Sequence, residues 1–581
     1  MLLASLVLFG AIGAKLVKVQ VVDGPRFAQV GESQLVHTEK LPAARGTIFD
    51  RNGVELAMTI RQSTVWANPR AVTDPVKEAD ALASVLQLDR EFLLERLRTP
   101  AAFVYLARKV SDATAKQVEA LGLDGVYLME EPRRFTPAGD LASPVLGLVG
   151  TDNEGLGGVE LKYEGLLRGK PGLLVVEQDP SGYQIPGGVR ERQPSIRGDD
   201  LMLTIDRALQ YETERALAAE IAKAKATGGV AVVMDVKTGE IVAMANLTAE
   251  AGENIRQAPS NLAVTQAYEP GSVNKLITIG AALEDGLVAP DTTIRVPTSI
   301  SVGGALFSEH EPHPTIDWNV TEIVANSSNV GSIMIGQQLG KDRLDHYLRS
   351  FGFGSSTALG FPGETPGIML DTDKWSGSSI GTIPIGQGIA VTAVQMLAAY
   401  NTVANGGLYV APKLIKAVVG SDGKPKLTEP SPTRRVVSPT TARQLNEMLS
   451  EVVRAGTGTN AAIDGYTVAG KTGTARKPLE GARGYKTGAY MSSFAGFVPA
   501  EKPALSALVM LDEPTPIFGG LVAAPVFAEI TKYGLRHFRI PPPRPAQKII
   551  PSVDPETARP VGEVGGTAAA ATLPRRNSPT P

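Results

Sequence analysis

The chain has no cysteine in 581 residues. That excludes a thiolate nucleophile, cysteine-ligated metal and disulfides, and it fits an oxidising compartment. Histidine is scarce, with His37, His310, His313, His346 and His537 the only five. A Ser-His-Asp triad is therefore poorly supplied, and lysine becomes the more plausible base for a serine nucleophile. An excess of either charge is missing too. The 57 Lys and Arg against 60 Asp and Glu leave a net charge of -3, which argues against nucleic acid as a partner. What is present is length and apolar content: 581 residues, 43% of them hydrophobic, allow two or three domains around a large core.

A long uncharged apolar run stands at the N-terminus, LLASLVLFGAIGA over residues 2–14. Lys15 and Lys18 interrupt it, but Leu16, Val17, Val19, Val21 and Val22 continue its character. About 20 apolar residues cross a bilayer as a helix, and Leu2 to Val22 suffices if both lysines snorkel. We read 1–22 as an uncleaved membrane anchor, since no convincing cleavage site follows. No Lys or Arg precedes the span, so the usual basic flank is missing and the natural start is expected upstream of Met1.

Residues 23–195 read as an elongated α+β module without chemistry of its own. Asn52-Gly53 between apolar residues signals a hairpin. Arg45, Asp50 and Arg51 around it suggest structural ion pairs. Amphipathic helical patterns alternate with loops over 74–125. A segment rich in glycine and arginine follows over 126–172, and its glycines imply tight turns rather than a phosphate loop. From Ser195 onward a strand leads into a helix expected over 207–226. A hairpin follows over 229–246, turning at Lys237-Thr238-Gly239. Helix, hairpin and helix in that order imply helices packed on an antiparallel sheet.

Four polar clusters lie within this second region. Ser272 follows Pro270-Gly271 at the start of a buried helical pattern, with Lys275 one turn on and on the same face. The helix N-terminus would offer N–H groups to an oxyanion. Taken alone, this spacing is more often a cap followed by a surface lysine. Ser327-Ser328-Asn329 falls between two apolar segments, where a hydroxyl and an amide can point from a loop into a cleft. Taken alone, it too reads as a cap. Lys471-Thr472-Gly473-Thr474 follows the strand-like Tyr466 to Ala469, with Gly473 letting a substrate backbone lie close to an edge strand. His310 and His313, with Glu309 and Glu311, lie in a proline-broken loop with no clear further ligand, so no metal is expected there. A glycine-rich loop and helix over 377–407 read as scaffold at the cleft mouth. Strands are expected over 493–499 and 505–511. The Pro- and Ala-rich stretch over 541–581 reads as a disordered tail.

Ser-x-x-Lys, Ser-x-Asn and Lys-Thr-Gly, in that order, form the motif set of serine β-lactamases and penicillin-binding proteins. The chain resembles the class B penicillin-binding proteins, and among them the monofunctional peptidoglycan transpeptidases of cell division. The resemblance runs from the anchor to about residue 535. It includes RGTIFDRNGVELA, the RRF…GLVGTDNEGLGGVE block, SSNVG, GQGIAVT and KTGTA.

That resemblance implies a five-stranded antiparallel sheet flanked by helices over 196–540. This transpeptidase domain would stand on a non-catalytic pedestal over 23–195, itself α+β. It implies acylation of Ser272 by a stem peptide ending in D-Ala-D-Ala, followed by transfer to an amine of a neighbouring stem peptide. Lys275 would be the base, with Lys471 as the second cation that depresses it. Ser327 would relay a proton, and Asn329 would bind the donor amide and Lys275. Lys471, Thr472 and Thr474 would hold the terminal carboxylate, and Gly473 would admit the substrate backbone. β-Lactams would acylate the same serine. No metal or organic cofactor is required. The implied partners are a SEDS-type glycosyltransferase and other divisome membrane proteins, at the septal inner membrane. An elongation-type transpeptidase, a D,D-carboxypeptidase or a β-lactamase would share the motifs.

Overall fold

A computed structural model describes residues 2–26, 36–177, 185–186, 190–420, 422–479, 481 and 484–543. The tail expected over 541–581 lies, from residue 544, outside the described residues. Helix α1, Leu2–Val17, continues as a π-helical turn to Val22. Leu2–Val22 is the one segment among the described residues long and apolar enough to cross a membrane, and none of it is buried in the fold.

The N-terminal module begins with strands β1 (Val36–Leu41), β2 (Ile48–Phe49) and β3 (Glu55–Ala67). Helices α2 (Pro75–Leu86) and α3 (Arg90–Arg98) follow, then β4 (Val104–Val110), α4 (Asp112–Ala120) and β5 (Val126–Phe135). Each helix starts where its sequence supplies a cap: Asp74, Asp89 and Ser111 accept from Lys77, Phe92 and Thr114 N–H groups. Their apolar faces meet the β3 sheet through Leu82, Leu93, Leu97, Val65, Leu106 and Val118. Strands β6 (Gly172–Glu177) and β7 (Arg190–Gln193) form a three-stranded sheet with β1.

The expected hairpin at Asn52-Gly53 is present, with β2 antiparallel to β3. Its charged residues find separate partners rather than one another. Asp50 accepts from the N–H groups of Asn52 and Val54 in its own turn. Arg51 pairs with Glu240. Arg45, 2% exposed, reaches Glu160 and Glu164, each at 2.5 Å.

Strand β8 (Asp200–Leu203) opens the second region, followed by α5 (Arg207–Lys223), which is capped by Asp206. The helix stops short of residue 226 because Lys225 takes left-handed backbone, φ 51°. Then come β9 (Gly228–Asp235), β10 (Ile241–Glu250) and β11 (Glu253–Gln257). Next are α6 (Lys275–Glu284), β12 (Thr293–Val296), β13 (Ser299–Val302), β14 (Ala305–Ser308) and β15 (Ile316–Asn319). Helices α7 (Asn329–Leu339), α8 (Lys341–Ser350) and α9 (Ala393–Ala404) follow. After these run β16 (Leu408–Val410), β17 (Ile415–Val419), β18 (Pro425–Leu427), β19 (Thr433–Arg435) and α10 (Pro439–Ala455). The chain closes with β20 (Ala469–Pro478), β21 (Tyr485–Val498), β22 (Leu505–Asp512) and α11 (Gly519–His537).

The main sheet has the order β11-β10-β9-β22-β21-β20 and is antiparallel throughout. It carries six strands rather than five, because the short β11 adds to the free edge of β10. Both faces are covered, so β9 and β22 are buried at every residue but the last rather than alternately. Val230, Val232 and Met234 of β9 face the core that contains α6 and α9, whereas Ala231 and Val233 face the one that contains α5 and α11.

A second sheet joins the two regions. β8 pairs in parallel with β2 and antiparallel with β17, so this sheet runs continuously past the boundary expected at 195/196.

Candidate active site

Ser272 lies in a single 3-10 turn, Gly271–Asn274, that runs directly into α6. The turn is held from several sides. Gly271 N donates to the Gly386 carbonyl at 2.9 Å, and Asn274 Nδ2 donates to the Ile383 carbonyl at 2.8 Å. The Tyr400 hydroxyl donates to the Val273 carbonyl at 3.0 Å. The loop expected at the cleft mouth thus braces the serine turn directly. Glu269 adds a further tie, accepting from Gly388 N at 2.9 Å and from the Tyr485 hydroxyl at 3.0 Å. Burial raises the Glu269 carboxyl above its ordinary value. The Ser272 side chain is half-buried and, among the described residues, makes no hydrogen bond.

Lys275 is 1% exposed and aims its amine at the second motif. Nζ lies 2.6 Å from the Ser327 carbonyl, 3.3 Å from Ser327 Oγ and 2.8 Å from Asn329 Oδ1. Burial pushes the amine down to about 7, with Glu309 opposing the fall. Lys471 is a second buried lysine, and the repulsion between the two amines acts on both. Lys471 is itself held well below the usual lysine range, by burial and then by the charge of Lys275. Desolvation is the largest cause of the fall in each amine.

The third motif lies inside an edge strand. Lys471, Thr472, Gly473 and Thr474 fall within β20, in register with Ala495, Phe494, Ser493 and Ser492 of β21. The strand starts at Ala469 rather than Tyr466, which bridges only to Ile463 and makes no ladder contact with β21. Gly473 packs against the serine turn: a Cβ there would meet Val273 Cγ1 at 3.2 Å and the Pro270 carbonyl at 3.3 Å. Ala475 lies against Gly271 in the same way. Lys471 is 1% exposed, and its amine sits 3.3 Å from the Thr472 carbonyl and 3.4 Å from Thr472 Oγ1. The Thr472 hydroxyl meets Thr457 Oγ1 at 2.7 Å, and Thr474 Oγ1 accepts from Gly519 N at 3.3 Å. The edge side of β20 also leaves strand N–H and C=O groups without a ladder partner.

Sequence reasoning missed Glu309 as part of this site. It accepts Asn329 N at 2.8 Å, Val330 N at 3.0 Å and the Ser328 hydroxyl. No spacing rule links it to position 329. Its neighbours in the histidine-bearing loop go elsewhere: His310 packs edge-on to Phe518, and His313 Nδ1 lies 2.6 Å from the Pro314 carbonyl. Among the described residues no group of three or more His, Asp or Glu side chains is arranged to hold a metal.

Residues 229–532 match the family described as the penicillin-binding protein transpeptidase domain, and residues 40–203 match the penicillin-binding protein dimerisation domain. The chain belongs to the penicillin-binding proteins of class B. It is 35% identical to penicillin-binding protein PbpB of Mycolicibacterium smegmatis, across 93% of this chain and 90% of that one. It is 31% identical to peptidoglycan D,D-transpeptidase FtsI of Escherichia coli, across 90% of this chain and 88% of that one. The crystal structure of penicillin-binding protein 3 from Mycobacterium tuberculosis, complexed with aztreonam, superposes with a TM-score of 0.68 at 31% identity. That superposition covers 87% of this chain and 99% of that one. In this penicillin-binding protein, then, the three motifs meet pairwise: the Lys275 amine reaches the loop before α7, and Gly473 of β20 packs against the 3-10 turn.

Proposed function

We propose that this class B penicillin-binding protein cross-links peptidoglycan stem peptides at the division septum through an acyl-enzyme on Ser272. It is a serine D,D-transpeptidase. The observation that carries the assignment of roles is the Lys275 amine, fully buried and held down to about 7 one turn from the serine. A lysine in that state is unprotonated for much of the time at neutral pH and can take a hydroxyl proton.

The donor peptide lies along the free edge of β20, as an added strand would. Its terminal carboxylate meets the hydroxyls of Thr472 and Thr474, with the Lys471 charge behind them. Asn329 binds its backbone amide. Ser272 Oγ attacks the carbonyl carbon of the penultimate D-Ala while Lys275 Nζ takes the hydroxyl proton. The backbone N–H groups of Ser272 and Thr474 receive the oxyanion, an interaction worth about 3–4 kcal/mol. The C–N bond then breaks, and the proton passes from Lys275 through Ser327 Oγ to the departing D-Ala amine. An amine of a neighbouring stem peptide attacks the ester. Its proton travels to Lys275 and returns to Ser272 as the C–O bond breaks. The strained amide of a β-lactam enters by the first half of the same path.

Residues 1–22 anchor the chain as a single pass, 23–195 form the pedestal, and 196–540 act outside the inner membrane. The resemblance to division-type transpeptidases supports the septal setting, with a SEDS-type glycosyltransferase and divisome membrane proteins as partners. Fluorescent penicillin should label the wild type on Ser272, and Ser272→Ala should lose that label while keeping its melting curve. Undiminished labelling of the variant would refute the assignment. A tagged copy should gather at the septum; uniform placement along the lateral wall would point instead to elongation.

A further inference from the structure

Glu309 closes the β13–β14 ribbon and stands at the N-terminus of α7. Both of its oxygens are committed. Oε1 accepts from the Ser328 hydroxyl and from Val330 N at 3.0 Å, and Oε2 accepts from Asn329 N at 2.8 Å. The Ser328 hydroxyl in turn accepts from Gly331 N at 2.9 Å. A capping serine alone satisfies one or two of the free N–H groups of a first helical turn. Here a serine and a carboxylate satisfy three in succession, and the carboxylate brings a full negative charge to the positive end of the helix. Ser328 lies between Ser327 and Asn329, whose oxygens hold Lys275. The clamp therefore acts on the residues that hold the amine, and its charge favours the protonated form that burial disfavours.

We propose that Glu309 is a positioning residue of the acylation step: its carboxylate clamps the Ser327–Asn329 loop onto the Lys275 amine and serves as that amine's counter-charge. The proposal rests on reading Lys275 as the base. The charged groups that act on the amine come from two elements, Glu309 on the loop after β14 and Lys471 on β20. The segment leading into α7 brings only the Ser327 and Asn329 oxygens. At the far end of α6, Glu284 is taken by Ser438 and Thr441 of the α10 cap. Asp285 there pairs with Arg343 of α8. Nine residues at 1.5 Å rise put those acids about 13 Å along the helix from Lys275. Without Glu309, burial acts on the amine almost unopposed. The amine then loses its proton at lower pH and is a weaker base for the serine hydroxyl.

The test is the second-order rate of acylation by fluorescent penicillin from pH 5 to pH 9, on full-length protein with folding checked by melting. Glu309→Gln keeps the shape and removes the charge. Its acid limb should move to lower pH by about half a unit or more, with the alkaline plateau reduced several-fold. Glu309→Asp retracts the charge by one methylene and should move the limb the same way by less. Ser328→Ala removes a donor but no charge, so its plateau should fall with the limb in place. A limb that stays put in Glu309→Gln, whatever the plateau, overturns the proposal, and so does a limb that moves to higher pH. Should Glu309→Gln fail to fold, an unmoved limb in Glu309→Asp decides the same way. Ser272→Ala run in parallel separates the two readings, because its continued labelling would remove the serine and its base regardless of Glu309.

Discussion

The Lys275 amine donates to the main-chain carbonyl of Ser327 at 2.6 Å, across 52 residues of sequence. That carbonyl belongs to a residue in left-handed backbone, with Ser327 at φ 59°. A left-handed L residue costs about 1 kcal/mol or more, and such conformations persist where the surroundings over-determine them. Here the clamp on Ser328 and the cap on α7 hold the loop in place. The strained backbone and the depressed amine meet at the same contact.

Substitutions at Ser327 should separate backbone from hydroxyl. Glycine accepts a positive φ freely but loses more chain entropy on folding. Ser327→Gly is expected to melt within about 1 kcal/mol of wild type, whereas Ser327→Val should lose more than about 1 kcal/mol. Both should acylate slowly, since each lacks the relay hydroxyl. Calorimetry with penicillin labelling reads the two effects separately.

The acylation rate should rise with pH through about 7, where the Lys275 amine gives up its proton. Stability should rise as well, over a wider window. The folded amine titrates near 7 against 10.5 for an ordinary lysine, so the unfolded chain binds the proton more tightly. Unfolding free energy then increases with pH between those values, and below the lower one the full cost is present. At 1.36 kcal/mol per unit that cost is on the order of 4–5 kcal/mol. Lys275→Met should reduce the gain in melting temperature between pH 7 and pH 9. Some gain will remain, because burial displaces Lys471 the same way.

Gly473→Ala should slow acylation at least tenfold. The new Cβ would lie 2.4 Å from Ser493 Oγ, 3.2 Å from Val273 Cγ1 and 3.3 Å from the Pro270 carbonyl. The serine can rotate, but the carbonyl is backbone and can yield only by moving the turn that carries Ser272. A misplacement of about 1 Å costs up to about a hundredfold in rate. A labelling time course measures this, and an unchanged rate would mean that the strand and the turn are not in register for catalysis.

Glu160→Ala should unfold the N-terminal module without touching the chemistry. Glu160 is 2% exposed and bridges two guanidinium groups, Arg45 at 2.5 Å and Arg134 at 2.7 Å. Removing it leaves Arg134 without a carboxylate partner and Arg45 with Glu164 alone, at about 3–5 kcal/mol. Melting temperature and proteolysis between residues 40 and 200 should register the loss. Penicillin labelling per folded molecule should stay at the wild-type level.

Much of the site was legible because its motifs are local. Ser272 and Lys275 share a face by helical spacing alone, and Asn52-Gly53 names its own turn. Local signals also explain where the reading slipped. The start of β20 depends on pairing with β21, which a run such as Tyr466 to Ala469 cannot report. The sixth strand is a five-residue addition, Glu253–Gln257, with too little alternation to stand out. How far each lysine is depressed depends on how deeply it is buried, and no spacing encodes depth.

From the sequence by itself came the chemistry: a serine with a lysine one turn on, a hydroxyl and amide in a loop, a cation with hydroxyls beside a glycine, and an apolar N-terminal span. Those follow from residue type and from neighbours a few positions apart. Tertiary structure alone decided that Lys275 sits near 7, that Glu309 holds the loop opposite it, and that β2 and β8 join the two regions in one sheet. Desolvation and long-range pairing sum over segments that the chain brings together only on folding, so their sign and size cannot be read along it.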